Sequence, residues 1–141
     1  MTPETAQLIR PRDLGCTFGG SWNATPNNVA RSRRVLLASL REAELSEEIL
    51  DAVSVAVTEV TTNTVYHAYV GRRIGQFRIT ATIRADEVKV SVEDDGCGFD
   101  SEAAPSAGRG LALVASAAAH VVTSSRQDGG SVTAMCFERP R

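Results

Sequence analysis

The sequence predicts an α+β fold, a two-layer sandwich in which helices cover one face of a mostly antiparallel sheet. Three observations lead there. Apolar residues recur with a helical period from about Pro26 to Tyr69, and the period changes to 2 beyond Gln76. The strands after that change come in pairs around short turns. The resulting order, β-α-α-β-β-loop-α-β-β, gathers helices and strands in blocks that suit one sheet with its helices on one side.

The first dozen residues mix Pro, Arg and Asp and read as a flexible N-terminal segment, 1–12, ahead of a single domain over 13–141. A short strand is expected around Cys16 to Phe18, in "GCTFGG". "ATPNN" then starts a helix. Thr25 can cap free N–H groups, and Pro26 at the first helical position loses no bond, because its missing donor would be unpaired there. This helix, Pro26 to Ala43, turns Val29, Val35, Leu36, Leu37 and Leu40 inward and leaves Arg31, Arg33, Arg34 and Arg41 outside. A second helix begins after Ser46, its expected cap, with Glu47 and Glu48 at the positive end of the helix dipole. It runs to about Tyr69 and is ended by Gly71.

"QFRITATIRA" alternates Phe77, Ile79, Ala81 and Ile83 against Arg78, Thr80, Thr82 and Arg84, which describes a strand with one face on a core. "ADE" turns the chain, and "VKVSVED" alternates again through Val88, Val90 and Val92. The segment "DDGCGFDSEAAPSAGRG" is dense in Gly, Pro, Ser and acid and reads as a loop. "LALVASAAA" is expected to be helical, and "HVVTSSR" and "SVTAMCFE" form two more strands around the turn "QDGG".

Composition narrows the function classes. A chain of 141 residues, 43% hydrophobic and 23% charged, suits one domain with one core. A net charge of -2 gives no basic footprint for a phosphate backbone or an anionic membrane, so neither nucleic acid nor membrane is an expected partner. Cys16, Cys97 and Cys136 are widely spaced with no CxxC pair, which argues against a disulfide framework or a zinc site and for a reduced cytosol. With no signal-peptide-like start and no long apolar run, the expected location is cytoplasmic.

Three polar clusters stand out from this plain background. Glu59 and Asn63, four residues apart on the second helix, can reach a common ligand. Asn63 offers a carbonyl oxygen suited to Mg²⁺, and Glu59 could orient or deprotonate a hydroxyl beside that ion. "DDGCG", Asp94 to Gly98, follows a strand directly; its glycines let a ligand approach the backbone, and a fixed carboxylate can accept from an exocyclic amine. "GRG", Gly108 to Gly110, opens a helix, where backbone N–H groups bind phosphate. Taken singly, these are a helix edge, a turn and a helix start. Their order and spacing together describe a nucleotide site.

The arrangement resembles the Bergerat-type ATP-binding fold shared by gyrase, the Hsp90 chaperone, histidine kinases and MutL, over about Thr25 to Glu138. "EVTTNTVYHAY" looks like its N box, "EDDGCGF" the first glycine box and "AGRGLALV" the second. Within that superfamily the chain resembles the anti-sigma factor serine kinases of the RsbW type, and its two histidines, His67 and His120, do not fit a histidine kinase. The resemblance implies Glu59 as general base, Asn63 as Mg²⁺ ligand and Asp94 as acceptor of the adenine amino group. It implies that Gly96 and Gly98 shape the adenine end, that Gly108 and Gly110 shape the phosphate end with Arg109 near phosphate, and that Ser131 lies close to adenine. It further implies ATP and Mg²⁺ as cofactors, a homodimer, an alternative sigma factor as the inhibited partner in stress-response transcription, and a STAS-domain anti-anti-sigma antagonist phosphorylated on serine. Only nine residues, Phe99 to Ala107, separate the glycine boxes, with no Lys, Arg or threonine among them. That short lid leaves room for an alternative, a non-catalytic or nucleotide-independent partner-switch module.

Overall fold

The computed structural model describes residues 5–9, 16–69, 75–95, 120–125 and 130–139. Six strands, β1 (Thr5–Ile9), β2 (Cys16–Asn23), β3 (Gln76–Ile83), β4 (Glu87–Asp94), β5 (His120–Ser125) and β6 (Ser131–Glu138), form one sheet in the order β1-β2-β3-β4-β6-β5. Every neighbouring pair runs antiparallel. Two helices, α1 (Pro26–Glu42) and α2 (Glu47–Tyr69), pack on each other; α1 lies against β2, and α2 against β4 and β6. The predicted two-layer α+β sandwich is the observed one.

The core sits between these layers, and strand alternation builds its floor. Phe77, Ile79, Ala81 and Ile83 of β3 are buried, as are Val88, Val90 and Val92 of β4, while Arg78, Arg84 and Lys89 stay exposed. Phe18, Trp22 and Phe77 stack in series, with ring centroids 6.4 Å and 5.9 Å apart. The Trp22 indole N–H is buried and has no acceptor among the described residues; an unmet donor of this kind costs about 1–3 kcal/mol against the large apolar area the ring buries. The roof is Leu36 and Leu40 of α1 with Ile49, Leu50, Val53, Ala56, Val57 and Val60 of α2.

Three details differ from the sequence reading. Thr5–Ile9, inside the segment expected to be flexible, is a strand paired with β2 from Thr5↔Ser21 to Ile9↔Thr17, and β2 itself reaches Asn23. Thr25 is the cap of α1, but its side chain makes no capping bond; its carbonyl accepts from the Asn28 N–H at 3.0 Å, and Asn28 Nδ2 donates to the Asn23 carbonyl at 2.9 Å. Arg33, expected outside, is half-buried and donates to Thr58 Oγ1 of α2 at 3.0 Å, tying the two helices. Ser46 caps α2 as expected, accepting from the Ile49 N–H at 3.2 Å. Between the helices Glu44 takes a left-handed conformation, φ 59°, which reverses the chain after α1.

Candidate functional site

Period 2 along β4 places Asp94 on the helix-facing side, one step beyond Val88, Val90 and Val92. On β6 the same alternation runs back from Phe137 and Met135 through Thr133 to Ser131. The β4–β6 register sets Asp94 directly opposite Ser131, and Ser131 Oγ donates to Asp94 Oδ2 at 2.5 Å. Both side chains are half-buried. A hydroxyl donating to the carboxylate in this way helps to orient it.

The approach of the two strands depends on Gly130. It is buried just ahead of β6, and a Cβ there would overlap the carbonyl oxygen of Asp94. Asp95 anchors the other side of the same sheet end: its Oδ1 accepts from the Gln76 N–H at 2.9 Å, and Gly75, preceding it, passes its carbonyl to the Ala24 N–H at 2.8 Å. The end of β4 is thus held from β6 on one side and from β3 on the other.

Glu59 and Asn63 lie one turn apart on α2, both half-buried. With 3.6 residues per turn, they fall on the flank of α2 opposite Thr58, and Thr58 is the residue that meets α1 through Arg33. Since α1 covers β2 and α2 covers β4 and β6, the Glu59–Asn63 flank looks toward the β6–β5 side of the sheet. At the start of β3, Phe77 pairs with Asp94. The acid and the amide thus stand on the flank of α2 away from α1, and the Asp94–Ser131 pair stands at the β4–β6 strand ends.

β5 adds what the sequence reading did not single out. Thr123 pairs with Thr133 and Ser125 with Ser131, and Thr123 Oγ1 stands 3.1 Å from Thr133 Oγ1. The sequence signal was present in "SVTAMCFE": counting back by twos from Phe137 and Met135 reaches Thr133 and Ser131. Gly96, Gly98, Gly108, Arg109 and Gly110, the lid Phe99–Ala107, the helix expected at 111–119, Gly71 and the first three residues of the turn "QDGG" lie outside the described residues, as does the side chain of His67. Among the described residues no three His, Cys, Asp or Glu side chains gather as a metal cage, and no helix is long and apolar enough to cross a membrane.

An antiparallel sheet with the two described helices on one face defines a protein of the two-layer α+β class. Residues 22–137 match the model of the histidine kinase-like ATPase domain, and the chain belongs to that family. It is 34% identical over 79 residues to a serine-protein kinase RsbW of Listeria monocytogenes, covering 56% of this chain and 50% of that protein. It is 32% identical over 74 residues to an anti-sigma F factor of Clostridium beijerinckii, covering 52% of each. The chain thus spans about half the length of the curated relatives it matches. The RsbU and RsbW domains of Rv1364c from Mycobacterium tuberculosis superpose with a TM-score of 0.70 at 20% identity, over 88% of this chain and 32% of that one. That likeness is one of fold.

Proposed function

We propose that the chain is an anti-sigma factor and an ATP-dependent protein serine/threonine kinase, which binds and inhibits an alternative sigma factor and phosphorylates a serine of a STAS-domain anti-anti-sigma antagonist. What supports this reading is the Asp94–Ser131 pair, joined at 2.5 Å across β4 and β6, together with Glu59 and Asn63 one turn apart on α2. The names of the matched relatives, serine-protein kinase RsbW and anti-sigma F factor, support it.

Asp94, an acceptor on both oxygens, suits the amino group of adenine, and Ser131 orients it. Asn63 fits Mg²⁺ as a single amide oxygen, because this ion keeps several waters and takes phosphate oxygens for most of its shell. When bound, the ion neutralises phosphate charge. Glu59, one turn before Asn63, accepts the proton of the substrate serine as its oxygen forms a bond to the γ-phosphorus and the bond to the ADP oxygen breaks. The phosphoserine adds about -2 charge at the antagonist's interface and weakens the complex competing for this chain. Gly96, Gly98, Gly108, Arg109 and Gly110 are assigned to the base and phosphate ends by family resemblance alone. In the same reading the protein works as a cytoplasmic homodimer, and Arg31 and Arg34 on α1 are candidate partner contacts.

A short lid with no cationic residue favours a second reading, a binding module that captures its partner without phosphoryl transfer. Glu59→Gln separates the two. In the kinase reading the variant binds nucleotide and sigma factor as before but no longer phosphorylates the antagonist. Undiminished phosphorylation would remove Glu59 from the role of base; absence of phosphorylation in the unaltered protein would leave the binding module.

A further inference from the structure

Two of the three large apolar side chains exposed among the described residues stand on α2: Val55, 46% exposed, and Tyr66, 67% exposed. The buried stripe of the helix runs through Val53, Val57, Val60 and Val65, so neither residue serves the core. Helix propensity does not call for them either, since Ala, Glu or Lys would suit a solvated helix face better than valine or tyrosine. Their placement is what distinguishes them. At 100° per residue both fall within about 40° of Glu59 around the helix axis. Val55 lies one turn before Glu59, and Tyr66 three residues beyond Asn63, so the two apolar side chains bracket the acid and the amide. The same exposed ridge begins with two acids, Glu48 and Asp51.

The role proposed for Glu59 supplies the occupant of this ridge. A serine that gives its proton to Glu59 must come within hydrogen-bond reach, about 3 Å, and the chain carrying it then crosses the ridge. Along the helix axis Val55 is about 6 Å from Glu59, and Tyr66 about 10 Å on the other side. An extended chain advances about 3.3 Å per residue, so side chains two residues to one side of the serine and three to the other arrive over them. Beyond Val55 the ridge is acidic, which suits a basic residue at that end of the segment.

We infer that Val55 and Tyr66 are the docking ridge for the protein substrate, a segment with an apolar side chain on either side of the phosphorylated serine and a basic residue toward Glu48 and Asp51. This rests on the kinase reading above. Tyr66 is the main anchor, being the larger and more exposed of the two.

The probes are the STAS-domain proteins of the organism that encodes the chain, each purified and incubated with the full chain and Mg-ATP, the phosphorylated serine being located by mass spectrometry. For the protein that is phosphorylated, Tyr66→Ala should raise its KM about tenfold and Val55→Ala about threefold, with kcat and the affinity for Mg-ATP unchanged, the pattern of lost uniform binding. Tyr66→Phe keeps the ring and should restore the KM, whereas Asp51→Lys should raise it about fivefold. A photo-cross-linking phenylalanine analogue at position 66 should attach within about four residues of that serine. Thermal unfolding checks that each variant is folded, and the cross-link reports on the ridge even if one is not. A KM within twofold of the unaltered chain in both alanine variants would overturn the inference and leave the kinase reading standing. So would a loss of ATP affinity matching the rise in KM, which would put Tyr66 in the nucleotide site, or weaker capture of a purified sigma factor at unchanged KM, which would give the ridge to that partner. If the unaltered chain phosphorylates none of the STAS-domain proteins, the kinase reading and the inference fail together.

Discussion

Ser131→Ala removes one oxygen atom from the β4–β6 strand ends and leaves the backbone of β6 untouched. In the unaltered protein that oxygen donates to Asp94 Oδ2 at 2.5 Å from the position directly across the β4–β6 ladder. Hydrogen bonds to charged groups are worth about 1.5–3 kcal/mol, and because both side chains are half-buried, water recovers part of the loss, leaving about 1 kcal/mol. A carboxylate that has lost its fixed donor must also be ordered again when it receives the ligand, about 0.5–1 kcal/mol for an immobilised side chain. Together these come to about 1.5–2 kcal/mol, a tenfold to thirtyfold weaker affinity for Mg-ATP. Calorimetric titration reads the affinity, and urea unfolding in parallel reads the stability, which should fall by no more than about 1 kcal/mol. Ser131→Thr keeps the hydroxyl and should bind near the unaltered level. An Ala variant that loses stability but binds ATP within twofold would refute the reasoning, since the Ser131–Asp94 bond would then be structural only.

Three further predictions concern the fold. Gly130→Ala forces a Cβ onto the Asp94 carbonyl and should cost about 2–3 kcal/mol of unfolding free energy in urea, with nucleotide affinity falling alongside; an unchanged midpoint would contradict the tight β4–β6 approach. Glu44→Gly should stabilise the protein by about 0.5 kcal/mol, because relieving a left-handed residue gains about 1–2 kcal/mol and the freer unfolded chain takes back about 0.5–1; a lower midpoint would contradict it. The Cys136 thiol is pushed up, first by burial and then by the charge of Glu87 and a hydrogen bond to it, against the opposing pull of Lys89. A raised folded value makes its contribution complete below the ordinary thiol range and lost as the pH rises through the folded value. The stability difference between the unaltered protein and Cys136→Ala should therefore be flat below about pH 8 and shrink above about pH 9, whereas curves parallel to pH 10 would contradict the shift.

How much of this was legible in the sequence varies by element, for physical reasons. β3 and β4 announce themselves because strict alternation of Phe77, Ile79, Ala81, Ile83 and of Val88, Val90, Val92 encodes a one-sided strand without reference to any partner. β1 does not: "TAQLI" between polar and proline-bearing stretches is five residues long and becomes a strand only through the ladder that β2 offers it. The spacing of Glu59 and Asn63 puts them one turn apart on α2, whereas Arg33 reads as a surface charge, since only the packing of α1 on α2 brings Thr58 within its reach. The pairing of Thr123 with Thr133 was hidden for another reason: alternation within β6 gives the face on which Thr133 lies, but its partner across the ladder is set by the β5–β6 register, a long-range fact that neither strand contains alone.

The central claim, a magnesium-dependent ATP site closed by Asp94, is tested most directly by titrating the purified chain with ATP and ADP in the presence and absence of Mg²⁺, and repeating the titration on Asp94→Asn. The account predicts ATP binding that strengthens with Mg²⁺ and disappears in the variant, because an amide turned to keep its bond with Ser131 presents a donor to the adenine amino group. No binding at any practical concentration, or binding that is identical in the variant, would contradict it.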